Sequence, residues 1–131
     1  MLVVEDDASV RGLVQVVLED EGFEVHEAAD GQSGLELAQK LDPDVVVLDV
    51  MMPGLGGPEV IARLRREDRS LPFAILVLTG APEVVESLRD EFGRDAVMEK
   101  PFDITELANR VRALAAAGPH ASPAPSPRQE P

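Results

Sequence analysis

The sequence predicts an α/β fold, a parallel sheet covered on both faces by helices, and three observations carry that expectation. Short apolar runs alternate five times with stretches of helical spacing, and the connections between them are short. Residues 45–48 and 73–78 are unbroken apolar runs, as strands buried on both faces should be. These runs, and residues 2–4, all stop abruptly at polar residues, as strands do where they leave such a sheet.

Taken in order, the first strand (2–4) ends in Glu5-Asp6-Asp7. Val10, Leu13, Val14, Val17 and Leu18 then recur at i, i+3, i+4, i+7 and i+8, one apolar helix face. Asp7 is placed to cap that helix and Gly22 lies just past it. The acids of its last turn, Glu19-Asp20-Glu21, oppose the helix dipole and are read as serving solubility. Residues 23–26 form a second short strand. A weaker helix opens at Asp30-Gly31, runs through Leu35, Ala38 and Leu41, and is ended by Pro43.

The third strand, 44–48, delivers Asp49 where it emerges from the sheet. Pro53 and the glycines at 54, 56 and 57 forbid simple continuation. An Asp in that position is either a turn-former or a chemical group. Met51 and Met52 beside it read as packing residues. Pro58 suits the first turn of a third helix, with Val60, Ile61 and Leu64 inward and Arg63, Arg65 and Arg66 on a solvated face.

The fourth strand ends at Thr79-Gly80-Ala81. Pro82 starts a helix bearing Val84, Val85, Leu88 and Phe92, closed by Gly93. Residues 96–98 are the fifth strand, leading to Glu99-Lys100-Pro101-Phe102, with Glu99 turned to solvent. Asp103 and Glu106 form a capping box, and Phe102 and Leu107 a hydrophobic staple, at the start of the last helix. Ile104, Leu107, Ala108, Val111 and Leu114 make its buried face. One domain over 1–117 is expected, followed by a flexible, polyproline-biased tail over 118–131, where five prolines mix with Ala and Ser.

Composition narrows the function classes. A net charge of −13, from 25 acidic and 12 basic residues, argues against direct binding to nucleic acid or to an anionic membrane. The absence of cysteine excludes disulfides, thiolate metal sites and a cysteine nucleophile. There is no cationic leader and no apolar run of membrane-spanning length, so a soluble, cytoplasmic protein is expected. With four Phe and no Tyr or Trp, the core must be aliphatic.

Parallel strands bring their carboxyl ends to one sheet edge, where open α/β folds place their sites. That edge collects Glu5, Asp6, Asp7, Asp49, Thr79 and Lys100. Clustered carboxylates resist ionising together unless a cation neutralises them. Oxygen ligands without His or Cys point to a hard ion, Mg²⁺. Thr79 and Lys100 add a hydroxyl and a cation suited to stabilising an oxyanion in phosphoryl transfer. Asp7 reads as a cap, not a ligand, and neither His26 nor His120 belongs to a histidine cluster that could bind metal.

Four motifs, in order and at strand ends, carry a resemblance. They are Val3-Val4-Glu5-Asp6-Asp7, the L-D-x-x-M-P-x-x-x-G pattern from Leu48 to Gly57, Thr79-Gly80-Ala81, and Lys100-Pro101-Phe102. The sequence resembles a response-regulator receiver domain of two-component signalling, chemotaxis-regulator-like, from Leu2 to about Ala117. The resemblance implies a doubly wound, flavodoxin-like sheet of strand order 2-1-3-4-5 flanked by five helices. It implies that Asp49 is the phosphoacceptor, taking its phosphoryl group from a sensor histidine kinase, a phosphotransfer protein or a small acyl phosphate. Asp6 then matches the main acidic Mg²⁺ ligand, Glu5 its neighbour acting through water, and Met51 supplies a backbone carbonyl. Thr79 and Lys100 contact the phosphoryl group, and the Lys100–Pro101 bond is expected to be cis. Pro53 and Gly57 shape the loop after Asp49. The output face would be the fourth helix, fifth strand and fifth helix, about 82–117, acting on a downstream protein as a monomer or a phosphorylation-dependent homodimer.

Two departures from the pattern bear on that expectation. The family usually has an aromatic three residues before the lysine; here it is Val97, so the usual threonine–aromatic relay cannot run. The first strand also lacks the usual lead-in residues, which predicts lost ladder bonds and lost burial, through a chain that starts late or is marginally stable. An alternative is a receiver-like interaction module without phosphorylation-dependent switching. An Mg²⁺-dependent phosphatase is disfavoured, because Met51 stands where such enzymes place a second acid. No turnover is expected beyond the domain's own phosphoryl transfer and dephosphorylation.

Overall fold

The computed structural model describes residues 1–119 except 53, 55 and 69. Five parallel strands lie in the order β2-β1-β3-β4-β5. The strands are β1 (Leu2–Val4), β2 (His26–Ala28), β3 (Val45–Asp49), β4 (Ala74–Thr79) and β5 (Val97–Glu99). The helices are α1 (Ala8–Asp20), α2 (Gly31–Leu41), α3 (Gly57–Leu64), α4 (Val85–Phe92) and α5 (Ile104–Ala117). The expected fold class and strand order are therefore observed. No helix among the described residues is long and apolar enough to cross a membrane.

Successive side chains on a strand point to opposite faces, and here both faces are buried. Val46 and Leu48 pack with Ala38 of α2, Ile61 of α3, and Leu88 and Phe92 of α4. Val45 and Val47 pack on the other face with Val14 and Leu18 of α1 and Leu107 and Val111 of α5. This is why the strand reads as an unbroken apolar run and not as an alternation.

The helix starts follow their side chains. The Asp7 carboxylate accepts from the amides of Ser9 and Val10, Asp30 from Ser33, and Asp103 from Glu106. The reciprocal half of the last capping box is not made, because Glu106 Oε1 is taken by Arg110 at 2.6 Å.

Several boundaries and faces differ from expectation. β2 is His26–Ala28, not 23–26: Phe23 and Val25 pack beneath the sheet, and the residues after them make the ladder. β3, β4 and β5 each begin and end one residue later than expected. Pro82 opens a 3-10 turn (Pro82–Val84), and α4 follows from Val85. Leu13 and Ile104, expected inward, are each 45% exposed. Arg65 is not on a solvated face; it lies beyond α3, pairs with Glu91 at 2.8 Å and sits over the Phe92 ring. Glu21 also has a local partner, Arg112 of α5.

β1 is short, three residues against five in β3, and the β1 ladder leaves Val45 without a partner. Burial is not lost, since Leu2 and Val3 are inaccessible, and the Met1 carbonyl extends the β2 ladder by accepting from the His26 amide at 2.9 Å. Of the proposed tail only Gly118 and Pro119 fall among the described residues, and Pro53 lies outside them.

Candidate functional site

The carboxyl edge of the sheet holds the site. Asp49 is the last residue of β3 and is 2% exposed. Its Oδ1 accepts from the Met51 amide at 2.9 Å, an Asx-type turn that fixes the carboxylate as the chain leaves the sheet. Its Oδ2 accepts from Lys100 Nζ at 3.0 Å. The turn-former and the chemical group are thus the same residue.

Glu5 follows β1 directly and is inaccessible. Its amide donates to Ala28, its Oε2 accepts from the Asp7 amide at 3.2 Å, and its Oε1 accepts from Lys100 Nζ at 2.5 Å. Asp6 is exposed. Glu5, Asp6 and Asp49 each offer a carboxylate oxygen within 4.8 Å of the others. Two buried carboxylates share one ammonium and a third, Asp6, lies beside them, so negative charge outnumbers positive in the cluster. The donor set is all oxygen. Both features are compatible with a hard divalent cation.

Lys100 enters through a cis Lys100–Pro101 bond, and its amide donates to the Thr79 carbonyl at 2.7 Å. Thr79 is inaccessible at the end of β4, and its Oγ1 accepts from the Ala81 amide at 3.0 Å rather than reaching the cluster. Glu5, Asp6, Asp49 and Lys100 therefore meet directly, with Thr79 alongside. The Met51 side chain turns outward, 55% exposed. Gly57 is required by a close approach: a Cβ there would lie 2.5 Å from Val50 Cα.

Electrostatics separate the two buried acids. Burial, reinforced by the neighbouring Asp49 carboxylate, pushes Glu5 from its ordinary 4.5 up to about 7, against the pull of Lys100 and the Asp7 amide. Burial alone would raise Asp49 too, but the interactions with Glu5, the Met51 amide and Lys100 outweigh it and hold Asp49 below its ordinary value. Burial opposes the charge on Lys100, yet its two carboxylates raise it. Asp49 is thus favoured in its anionic form.

Two contacts had no signal in the sequence. Arg11, in the first turn of α1, donates to the Glu5 carbonyl at 2.8 Å. Arg110 of α5 donates to the carbonyls of Val97 and Arg94 at 2.7 and 3.1 Å. Long cations reaching backbone carbonyls leave no spacing pattern. Val97 is buried, as expected of its strand.

A doubly wound sheet with an acid cluster, a buried aspartate and a lysine gathered at its carboxyl edge places the chain among the α/β domains that carry their site at the strand ends. Comparison with known proteins makes this specific. Residues 1–112 match the model of the response regulator receiver domain, and the chain belongs to that family.

The DNA-binding dual master transcriptional regulator RpaA of Synechocystis is 38% identical over 87% of this chain and 48% of its own length. The alkaline phosphatase synthesis transcriptional regulatory protein PhoP of Bacillus subtilis is 42% identical over 87% of this chain and 47% of its own. The chain thus spans about half the length of the curated relatives it matches. Among solved structures, the chemotaxis response regulator CheY4 of Vibrio cholerae superposes with a TM-score of 0.74 at 32% identity, over 86% of this chain and 95% of that one. TrrA of Thermotoga maritima, solved with Mg²⁺ and BeF, gives 0.72 at 31% identity, over 86% and 96%.

Proposed function

We propose that this domain accepts a phosphoryl group on Asp49 from the phosphohistidine of a sensor histidine kinase or phosphotransfer protein, or from a small acyl phosphate. The observation that carries the reading is the contact of Lys100 with both Asp49 and Glu5 at the sheet edge. An Asp49 carboxylate oxygen forms the new bond to phosphorus as the P–N bond to the imidazole breaks, and the bonding pair leaves with the imidazole. Lys100 moves its charge onto the phosphoryl oxygens, and Thr79 exchanges its local bond for one to them. Mg²⁺, held by Glu5, Asp6, Asp49 and the Met51 carbonyl, would supply charge neutralisation for the phosphoryl oxygens.

The product adds about −1.5 to −2 charge and three acceptors beside Lys100 and Thr79. Drawing both inward shifts the strand ends of β4 and β5 and biases the α4–β5–α5 face toward a different downstream partner. Gly57 and Pro101 shape the loops that hold the site, and residues 1–117 act as the signalling unit, working in the cytoplasm. Nucleic acid and membrane are not direct partners of so acidic a domain, which works as a monomer or a phosphorylation-dependent homodimer. Its only chemistry is its own phosphoryl transfer and dephosphorylation.

Buried Val97, in place of an aromatic, favours a second reading in which partner binding is constitutive. Mass spectrometry after incubation with acetyl phosphate and Mg²⁺ tests the first. Wild type should gain one phosphoryl adduct and Asp49→Asn none; no adduct on wild type, or an equal one on the variant, overturns it. Equal partner affinity with and without the adduct favours the second.

A further inference from the structure

We infer that Arg11 is a positioning residue for the acid cluster, setting Glu5 and Asp6 through their backbone; this rests on the proposed Mg²⁺ site. Its guanidinium Nη1 donates to the Glu5 carbonyl at 2.8 Å and reaches the Asp6 carbonyl at 3.5 Å. These carbonyls lie just beyond β1, where the ladder to β3 has ended at Leu48. A strand-end carbonyl in a part-buried setting needs a donor, and Arg11 supplies one to the Glu5 carbonyl.

The guanidinium is itself held. Its Nε lies 4.0 Å from Glu27 of β2, and the pair is only 20% and 33% exposed. Gln15, one turn further along α1, sets its side-chain amide against the same Glu27 carboxylate, and can donate to it at 2.8 Å when its nitrogen takes that side. Arg11 thus ties α1 and β2 to the turn carrying two of the three acids. Its own amide bonds the carbonyl of Asp7, the residue that caps α1 and also donates to Glu5. The Glu5 side chain is fixed from both ends, by Lys100 and Asp7 at the carboxylate and by Arg11 and Ala28 along the backbone.

Charge and positioning predict opposite signs for removing Arg11. On charge alone, losing a cation beside an acid cluster strengthens Mg²⁺ binding. If Arg11 positions the turn, its loss weakens binding, as loss of an outer partner to a metal ligand does elsewhere, by about tenfold.

Calorimetric titration of Mg²⁺ into wild type, Arg11→Met and Arg11→Lys decides between them, with thermal melts by circular dichroism as the folding control. The expected order of affinity is wild type, then Lys, which can keep one carbonyl bond, then Met, about tenfold below wild type. Should Arg11→Met not fold, Arg11→Lys must still bind more weakly than wild type. Unchanged or tighter binding in a folded variant overturns the inference while leaving the site intact. Wild type that binds no Mg²⁺ overturns the site itself, and this role with it.

Discussion

Asp49 and Lys100 stand 51 positions apart in the chain, yet the Lys100 ammonium donates to the Asp49 carboxylate at 3.0 Å. The same ammonium serves Glu5, so one cation offsets two buried anions that would otherwise repel. The contact joins the ends of β1 and β3 to the residue that follows β5. On the proposed phosphoacceptor role, the same lysine is already in place beside the carboxylate that would receive the phosphoryl group.

Lys100→Met therefore strands two buried acids. Breaking a buried ion pair from one side costs about 3 kcal/mol, because the remaining charges stay desolvated. Urea denaturation followed by circular dichroism in a chelator should show that loss. Millimolar Mg²⁺ should then recover more stability in the variant than in wild type. A variant as stable as wild type without Mg²⁺ would show that solvent, not Lys100, offsets the acids.

The raised Glu5 value sets a pH window. A carboxyl whose folded value, about 7, exceeds its ordinary 4.5 favours folding when protonated. Its contribution is complete below about pH 4.5 and is lost as the pH rises through about 7. Asp49 works in the opposite sense, and its contribution is lost only at more acid pH. A divalent cation needs Glu5 ionised, so the rise in Tm on adding Mg²⁺ should be larger at about pH 8 than at about pH 5.5. The chain has no Trp or Tyr, so circular dichroism or calorimetry must report the melt. An equal rise at both pH values would mean that Glu5 does not exchange a proton for the metal.

The fold was legible because buried parallel strands announce themselves as apolar runs, and Asp49, Thr79 and Lys100 each close one or follow it closely. What failed was the half-exposed edge. β2 is His26-Glu27-Ala28, with no apolar signal, while Phe23 and Val25 carry the signal but pack below the strand. Leu13 fits the helical spacing of its neighbours yet is 45% exposed, since spacing fixes a stripe but not which margin of it meets the sheet. In the site, residue types and order could be read. The sharing of Lys100 between Asp49 and Glu5, and the grip of Arg11 on the Glu5 carbonyl, depend on contacts between strands and could not.

Two glycines give a graded test of packing. Ala at Gly57 sets a Cβ 2.5 Å from the Val50 Cα, a backbone atom that must move and that adjoins Asp49. Gly57→Ala should cost about 3 kcal/mol, the upper range for overpacking. Ala at Gly34 meets the Val4 side chain, its methyl groups at 2.8 and 2.9 Å. There the helix propensity gain of about 1 kcal/mol offsets much of the clash. Chemical denaturation of both variants should rank Gly57→Ala well below Gly34→Ala, and the reverse order would mean that the loop after Asp49 yields more easily than β1.

Arg110 offers a link between β5 and α5, both on the proposed output face, that needs no aromatic side chain. Its guanidinium holds the carbonyl of Val97, the first residue of β5, at 2.7 Å, and Glu106 of α5 holds the guanidinium at 2.6 Å. A displacement of β5 driven from Lys100, three residues on from Val97, would therefore pull on α5 directly. Arg110→Met should cost about 1 kcal/mol for the lost carbonyl bonds. It should leave the yield of the Asp49 adduct unchanged, because the partners of Arg110 are Arg94, Val97 and Glu106 and not the acid cluster. Amide chemical shifts recorded before and after treatment with acetyl phosphate should change through β5 and along α5 in wild type, but fade at β5 in the variant. Equal changes along α5 in both proteins would place the coupling in the apolar packing of Leu107 and Val111 against the sheet instead.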